Sequence, residues 1–227
     1  FARDKNINTI LFTSSIAVYG TYEDKKSEQN LSMPDIPYGI SKLSAEYIHK
    51  QWQSEDPSNR RLIILRPAVV FGMYEKANFT RLINSLQNKY FAYVGRKDTK
   101  KACIYVKDLV QAIYELSIDK SLTNETYNIA YNPSLSIEEI IGSVSEIGNM
   151  KFPRFVVPRS LIVFLSSIMY YILKKKDFNP QRMNKLVISN DIDSVKVNKK
   201  INFTFGFSKG IADWMDETDF INNKKIY

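Results

Sequence analysis

Between Thr9 and Gly148 short apolar runs alternate with longer amphipathic ones, and this rhythm restricts the fold more than any other feature of the chain. "TILFTS" (Thr9–Ser14), "RLIILRP" (Arg61–Pro67) and "TYNIA" (Thr126–Ala130) are short and apolar enough for strands buried on both faces. Shorter strand candidates lie at Phe91–Val94 and Cys103–Val106. Helical patterns run from Tyr38 to about Gln53, with apolar positions at Ile40, Leu43, Ala45, Tyr47, Ile48 and Trp52. Others run from Ala77 to Asn88 and from Lys107 to Ile118, the last with Asp108 in its first turn. A further helix opens at Ser136, where Glu139 completes a capping box, and Gly148 suits its end. Strands separated by helices of this length need crossover connections, so the expected fold is α/β with a mainly parallel sheet.

Few chemistries survive the composition. The chain holds one cysteine, Cys103, and one histidine, His49, which excludes a disulfide framework and any Cys- or His-based metal centre. The lone cysteine suits a reducing cytosol. A formal charge of +8 favours anionic partners. The lysines are scattered and no nucleic-acid motif accompanies them, so nucleic acid is not expected as a partner.

The opening "FARDKNINTILFTSS" is no signal peptide, and reads as the end of a helix, a polar loop and then a strand. Near the other end, "SLIVFLSSIMYYILKKK" (Ser160–Lys176) has an apolar part of about 14 residues, short of the ~20 that span a bilayer. It reads either as a core or substrate-covering helix, or as an interfacial helix with its lysines toward anionic lipid.

Three segments carry chemistry. In "FTSSIAVYG" a strand ends in Ser14 and Ser15, at the sheet edge where parallel folds bind ligands. The hydroxyls there either bind a substrate oxygen or satisfy local backbone groups. In "PYGISKLSAEYIHK" Tyr38 and Lys42 are one helical turn apart. An ammonium beside a phenol favours phenolate, lowering a pKa of about 10 and readying the tyrosine for proton transfer. By spacing alone the pair also fits any amphipathic helix. "LRPAVVFG" (Leu65–Gly72) is a strand exit whose backbone groups could meet a flat carboxamide.

In this order, "SSIAVYG", "YGISKLSAE", "RPAVVFG" and "CIYVKDLVQAI" resemble the extended short-chain dehydrogenase/reductase family, in its branch of NAD-dependent nucleotide-sugar epimerases and dehydratases. The resemblance runs from Thr9 to Gly148 and more loosely to the C-terminus. It implies the C-terminal part of a Rossmann-like parallel sheet with a smaller α/β substrate-binding domain. Residues 1–150 would belong to the cofactor domain, with substrate-binding insertions from about residue 73, and residues 151–227 would form the cap. The implied catalytic residues are Ser15, Tyr38 and Lys42. The implied cofactor contacts are Ser14, Tyr38, Lys42, Pro67, Ala68 and Val70, toward NAD, with NADP open. Ser15, Asn78, Arg96 and Lys101 would meet the substrate, the last three at its diphosphate. Asn78 could equally cap a helix, and Arg96 and Lys101 could be a solvated basic turn.

Two departures sharpen the expectation. None of the eight glycines forms the G-x-x-G-x-x-G turn that holds a dinucleotide pyrophosphate, so the chain reads as the C-terminal two-thirds of an enzyme, binding NAD poorly on its own. Ile16 and Ala17 stand where the 4,6-dehydratases carry an Asp-Glu pair, and neither can transfer a proton. The resemblance therefore implies a C4 epimerase of a nucleotide-activated sugar, with a keto-sugar reductase, an epimerase of a polyprenyl-diphosphate-linked sugar and a non-catalytic scaffold as alternatives. The implied partners are a nucleotide-diphosphate sugar, a membrane surface and a second copy in a homodimer. The implied location is the cytoplasm, or the inner face of its membrane.

Overall fold

The computed structural model describes residues 1–21, 23–167 and 187–218. In chain order the elements are β1 (Thr9–Thr13), a 3-10 turn (Ile16–Tyr19), α1 (Pro37–Ser54), β2 (Arg61–Pro67), β3 (Val69–Phe71) and α2 (Asn78–Gln87). Next come β4 (Tyr93–Val94), β5 (Lys100–Lys101), β6 (Cys103–Tyr105), α3 (Val106–Ile118), β7 (Asn124–Ile129), β8 (Leu135–Ser136) and α4 (Ile137–Ile147). β9 (Val156–Val157), α5 (Arg159–Ser167) and helices at Val195–Asn198 and Gly206–Glu217 complete the described chain. The apolar segment expected at Ser160–Lys176 is described only as far as Ser167, and its remainder lies outside the described residues.

Contacts divide the chain into two units. The first comprises Phe1–Phe71, Ala102–Ser134 and Asp191–Phe207. The second comprises Gly72–Lys101, Leu135–Asn190 and Ser208–Tyr227. The chain leaves the first unit at Gly72, where substrate-binding insertions were expected. Asp191–Phe207 then returns to it, so the division is not the linear one near residue 150.

The first unit is built on a parallel sheet ordered β1-β2-β7, with Thr13 opposite Leu65 and Pro67 opposite Ile129. β2 is central because Leu62 through Leu65 can be buried on both faces, and all four are fully buried. β3 pairs in parallel with β6, Val69 opposite Cys103. One core cluster joins Ile63, Leu65 and Ile104 to Ala112 and Leu116 of α3. A second gathers Ile16, Val18 and Tyr19 of the 3-10 turn with Ala68, Ala102 and Ile192. The opening residues carry the hydrogen bonds of a helix C-terminus, as the sequence implies: Lys5 N donates to Phe1 O at 3.0 Å, Asn6 N to Arg3 O at 3.2 Å and Ile7 N to Ala2 O at 3.0 Å, with Asn6 at a φ of 51°.

In the second unit β4 pairs with β9 and β5 with β8. The capping box of α4 forms as the sequence implies: Glu139 N donates to Ser136 Oγ at 3.1 Å, and Ser136 N to Glu139 Oε2 at 2.6 Å.

Candidate active site

At the carboxyl end of β1 the two serines have different fates. Ser14 is buried, and its hydroxyl donates to Glu46 Oε1 at 2.6 Å. Its side chain is therefore spent inside the protein. Ser15 caps the 3-10 turn, where its Oγ accepts from Ala17 N at 3.2 Å. An accepting hydroxyl still carries its proton, so Ser15 can donate outward.

Helix α1 starts at Pro37, whose fixed φ suits a first turn. Tyr38 follows, 52% exposed, and its hydroxyl has no hydrogen-bond partner among the described residues. Lys42 Nζ lies 5.8 Å from the Tyr38 ring centroid and donates to the Thr13 carbonyl at 2.9 Å. Its other ammonium protons have no acceptor among the described residues. Between them, Gly39 allows α1 to touch the serine turn: a Cβ there would sit 2.4 Å from the Ala17 carbonyl oxygen. The structure thus gathers Ser15, Tyr38 and Lys42 around the end of one strand.

The β2 exit lies beside them. Pro67 ends β2, and Ala68 packs in the cluster that holds Ile16 and Tyr19, its N–H donating to Ile129 O at 3.0 Å. Val70 is half-buried in β3, opposite Ile104.

The other expected contacts fall in the second unit. Asn78 is exposed at the start of α2 and is not the cap. Glu75 does that work, accepting from Ala77 N and Thr80 N, each at 2.8 Å, which leaves the Asn78 amide unspent. Arg96 Nη2 donates to Ser189 Oγ at 2.9 Å, and Lys101 Nζ to the Ile188 carbonyl at 2.9 Å.

Sequence reasoning missed a buried polar group beneath the serine turn. Glu46 is 0% exposed and Arg66 is 4% exposed. Arg66 donates to Glu46 twice, Nε to Oε1 at 2.9 Å and Nη2 to Oε2 at 2.7 Å. Its Nη1 donates to Tyr19 Oη at 2.9 Å, and that hydroxyl donates to Asn128 Oδ1 at 2.8 Å. Burial pushes the Glu46 carboxyl up, but the hydrogen bonds from Arg66 and Ser14 outweigh it and hold the group below its ordinary value. Burial raises Tyr19 despite the nearby guanidinium. A signal was present: Glu46 repeats the Tyr38–Lys42 spacing, and Arg66 interrupts an apolar strand.

A hydroxyl, a tyrosine and a lysine at the carboxyl edge of a helix-flanked parallel sheet define a Rossmann-like α/β protein. Solved structures share the fold. A UDP-glucuronic acid 4-epimerase from Bacillus cereus, in complex with NAD, matches with a TM-score of 0.68 and 19% identity, covering 95% of this chain and 64% of that one. A UDP-N-acetylglucosamine 4-epimerase from Bacillus cereus matches with a TM-score of 0.70 and 17% identity, covering 98% and 68%. The sequence profile of the NAD dependent epimerase/dehydratase family matches residues 1–130, and the chain belongs to that family. Over 233 residues it is 29% identical to N-acetyl-alpha-D-glucosaminyl-diphospho-ditrans,octacis-undecaprenol 4-epimerase of Escherichia coli O157:H7, covering 99% of this chain and 69% of that protein. The chain thus spans between 64% and 69% of the length of these relatives.

Proposed function

We propose that the chain carries the proton-transfer site of an NAD-dependent C4 epimerase acting on a diphosphate-activated sugar. One observation carries this reading: Lys42 is tied to the strand end that leads into Ser15, one helical turn from an unpartnered Tyr38. Lys42 and Tyr38 fit the nicotinamide ribose because both keep polar groups unspent, and Pro67, Ala68 and Val70 would lie along the ring. Bound NAD supplies the acceptor and donor of hydride. Ser15 donates a hydrogen bond to the C4 oxygen of the sugar. Tyr38 as phenolate takes the proton of that hydroxyl, becoming neutral, and later returns it, and the Lys42 ammonium balances the phenolate charge before the first transfer and after the second. Ile16 and Ala17 offer no proton, which disfavours water elimination. On the second unit Asn78 is assigned to the diphosphate, with Arg96 and Lys101 as its cations. A keto-sugar reductase would use the same three side chains and differ in releasing oxidised cofactor.

The test is a panel of UDP-sugars and polyprenyl-diphosphate sugars given with NAD to the full-length protein. Reversible formation of the 4-epimer is expected. Water elimination, net cofactor oxidation, or no conversion with any of them would overturn the reading.

The lipid-linked class of substrate has an observation of its own. Phe155 is 79% exposed and Phe164 62% exposed, near exposed Phe152 and Leu161 and the cations Lys151, Arg154 and Arg159. From Lys151 to Lys176 the sequence holds no acidic residue. Aromatic residues interleaved with cations suit the headgroup region of an anionic bilayer. No helix among the described residues is long and apolar enough to cross a membrane. Sedimentation of the protein with anionic vesicles, and not with neutral ones, is the expected result. Equal recovery in the supernatant with both removes this surface from the account.

A further inference from the structure

Stability alone does not account for Glu46 and Arg66. A buried ion pair gains little net free energy, because desolvation offsets the attraction, and apolar residues of similar volume serve a core as well or better. What this pair holds is more specific. Glu46 binds Ser14, the residue just before Ser15, at 2.6 Å. Arg66, gripped by both oxygens of Glu46, binds Tyr19 at the far end of the same turn at 2.9 Å. One charged pair therefore fastens the turn on both sides of Ser15. Glu46 also rides on α1 two turns beyond Tyr38, on the face that carries Lys42.

We propose that Glu46 is a positioning residue: with Arg66 and Tyr19 it clamps the Ser14–Tyr19 turn to α1 and so sets the Ser15 hydroxyl against Tyr38. This rests on the epimerase reading for its consequence in catalysis, but the clamp itself is a property of the fold. Glu46 touches neither substrate nor cofactor and acts only through Ser14 and Arg66. Glu46→Gln keeps the volume, removes the charge and breaks the two-point grip. Tyr19→Phe deletes a single hydroxyl and leaves the ion pair in place.

Both variants are made in the full-length enzyme, alone and with Ser15→Ala, and read in two ways. The first is amide hydrogen exchange. The Ala17 and Val18 amides, bonded to Ser15 at 3.2 Å each, should exchange roughly tenfold faster in both variants, as the loss of a charged hydrogen bond implies. Unchanged protection in both overturns the clamp, whatever the enzyme's activity. The second is a kinetic cycle. Glu46→Gln should lower kcat about a hundredfold with little change in KM, as a misplacement of about 1 Å does. In the Ser15→Ala background it should cost almost nothing more. An equal loss in both backgrounds overturns the action through Ser15. If Ser15→Ala itself leaves turnover unchanged, the functional reading has failed, and exchange alone still decides the clamp.

Discussion

Replacing Gly39 by alanine separates positioning from stability. A Cβ at this position would lie 2.4 Å from the Ala17 carbonyl oxygen, 3.1 Å from its carbon and 2.9 Å from Pro34 Cβ. Carbon and oxygen meet ordinarily at about 3.3 Å or more, so α1 and the serine turn must part by about 1 Å. The obstruction is backbone, and no side-chain rotation relieves it. Overpacking of this kind costs roughly 1–3 kcal/mol. Alanine regains about 1 kcal/mol of helix propensity over glycine. The net destabilisation is then about 0–2 kcal/mol, a fall in Tm of at most ~8 °C for a chain of this size. Catalysis feels the same displacement far more strongly, because it moves Tyr38 relative to Ser15. A shift of about 1 Å lowers kcat roughly a hundredfold. The assay pairs a thermal melt with steady-state kinetics on the full-length enzyme. A folded Gly39→Ala protein with kcat within about twofold of wild type would refute the reasoning, because the contact would then not set the site.

Other perturbations read neighbouring parts of the account. Lys42→Met removes the tie to Thr13 and the ammonium beside Tyr38, so both NAD affinity and kcat should fall; titration calorimetry finding unaltered NAD binding would count against its cofactor role. The Glu46 carboxyl is held below its ordinary value of 4.5 in the folded protein, so its contribution is complete above that value and lost as pH falls through the lower folded value. Urea midpoints of wild type should therefore drop more steeply than those of Glu46→Gln between about pH 6 and pH 3, and parallel curves would contradict the coupling. Phe155→Asp together with Phe164→Asp should abolish sedimentation with anionic vesicles; unchanged sedimentation would exclude these rings as the contact.

Much of the fold around the candidate site was legible because its residues obey local rules. β2 announces itself by a run of apolar residues, and α4 by Ser136 and Glu139 at capping-box spacing. Tyr38 and Lys42 declare a shared helix face. What stayed hidden depends on contacts distant in sequence. In α1 the apolar positions Ile40, Tyr47 and Ile48 are exposed, while the face turned inward carries Gly39, Glu46 and Gln53 beside Trp52, the one expected apolar position that is buried. Apolar periodicity misreads such a helix, because its inner face serves a polar network. Glu46 becomes meaningful only with Arg66, twenty residues on in another element. Asn78 looked like a cap, yet Glu75 reaches around to take both amides, a choice that only the turn geometry fixes. The return of Asp191–Phe207 to the first unit is also non-local: Asp193 N donates to Lys26 O at 2.7 Å, and Phe205 N to the buried Asp108 at 3.0 Å.

The claim at the centre is that Tyr38 moves the proton at C4. The most direct measurement compares wild type with Tyr38→Phe in the full-length enzyme, following 4-epimer formation by NMR and NAD affinity by calorimetry. The account predicts that removal of one hydroxyl lowers kcat by at least about a hundredfold while NAD binds nearly as before. Turnover of the phenylalanine variant within about tenfold of wild type would contradict it.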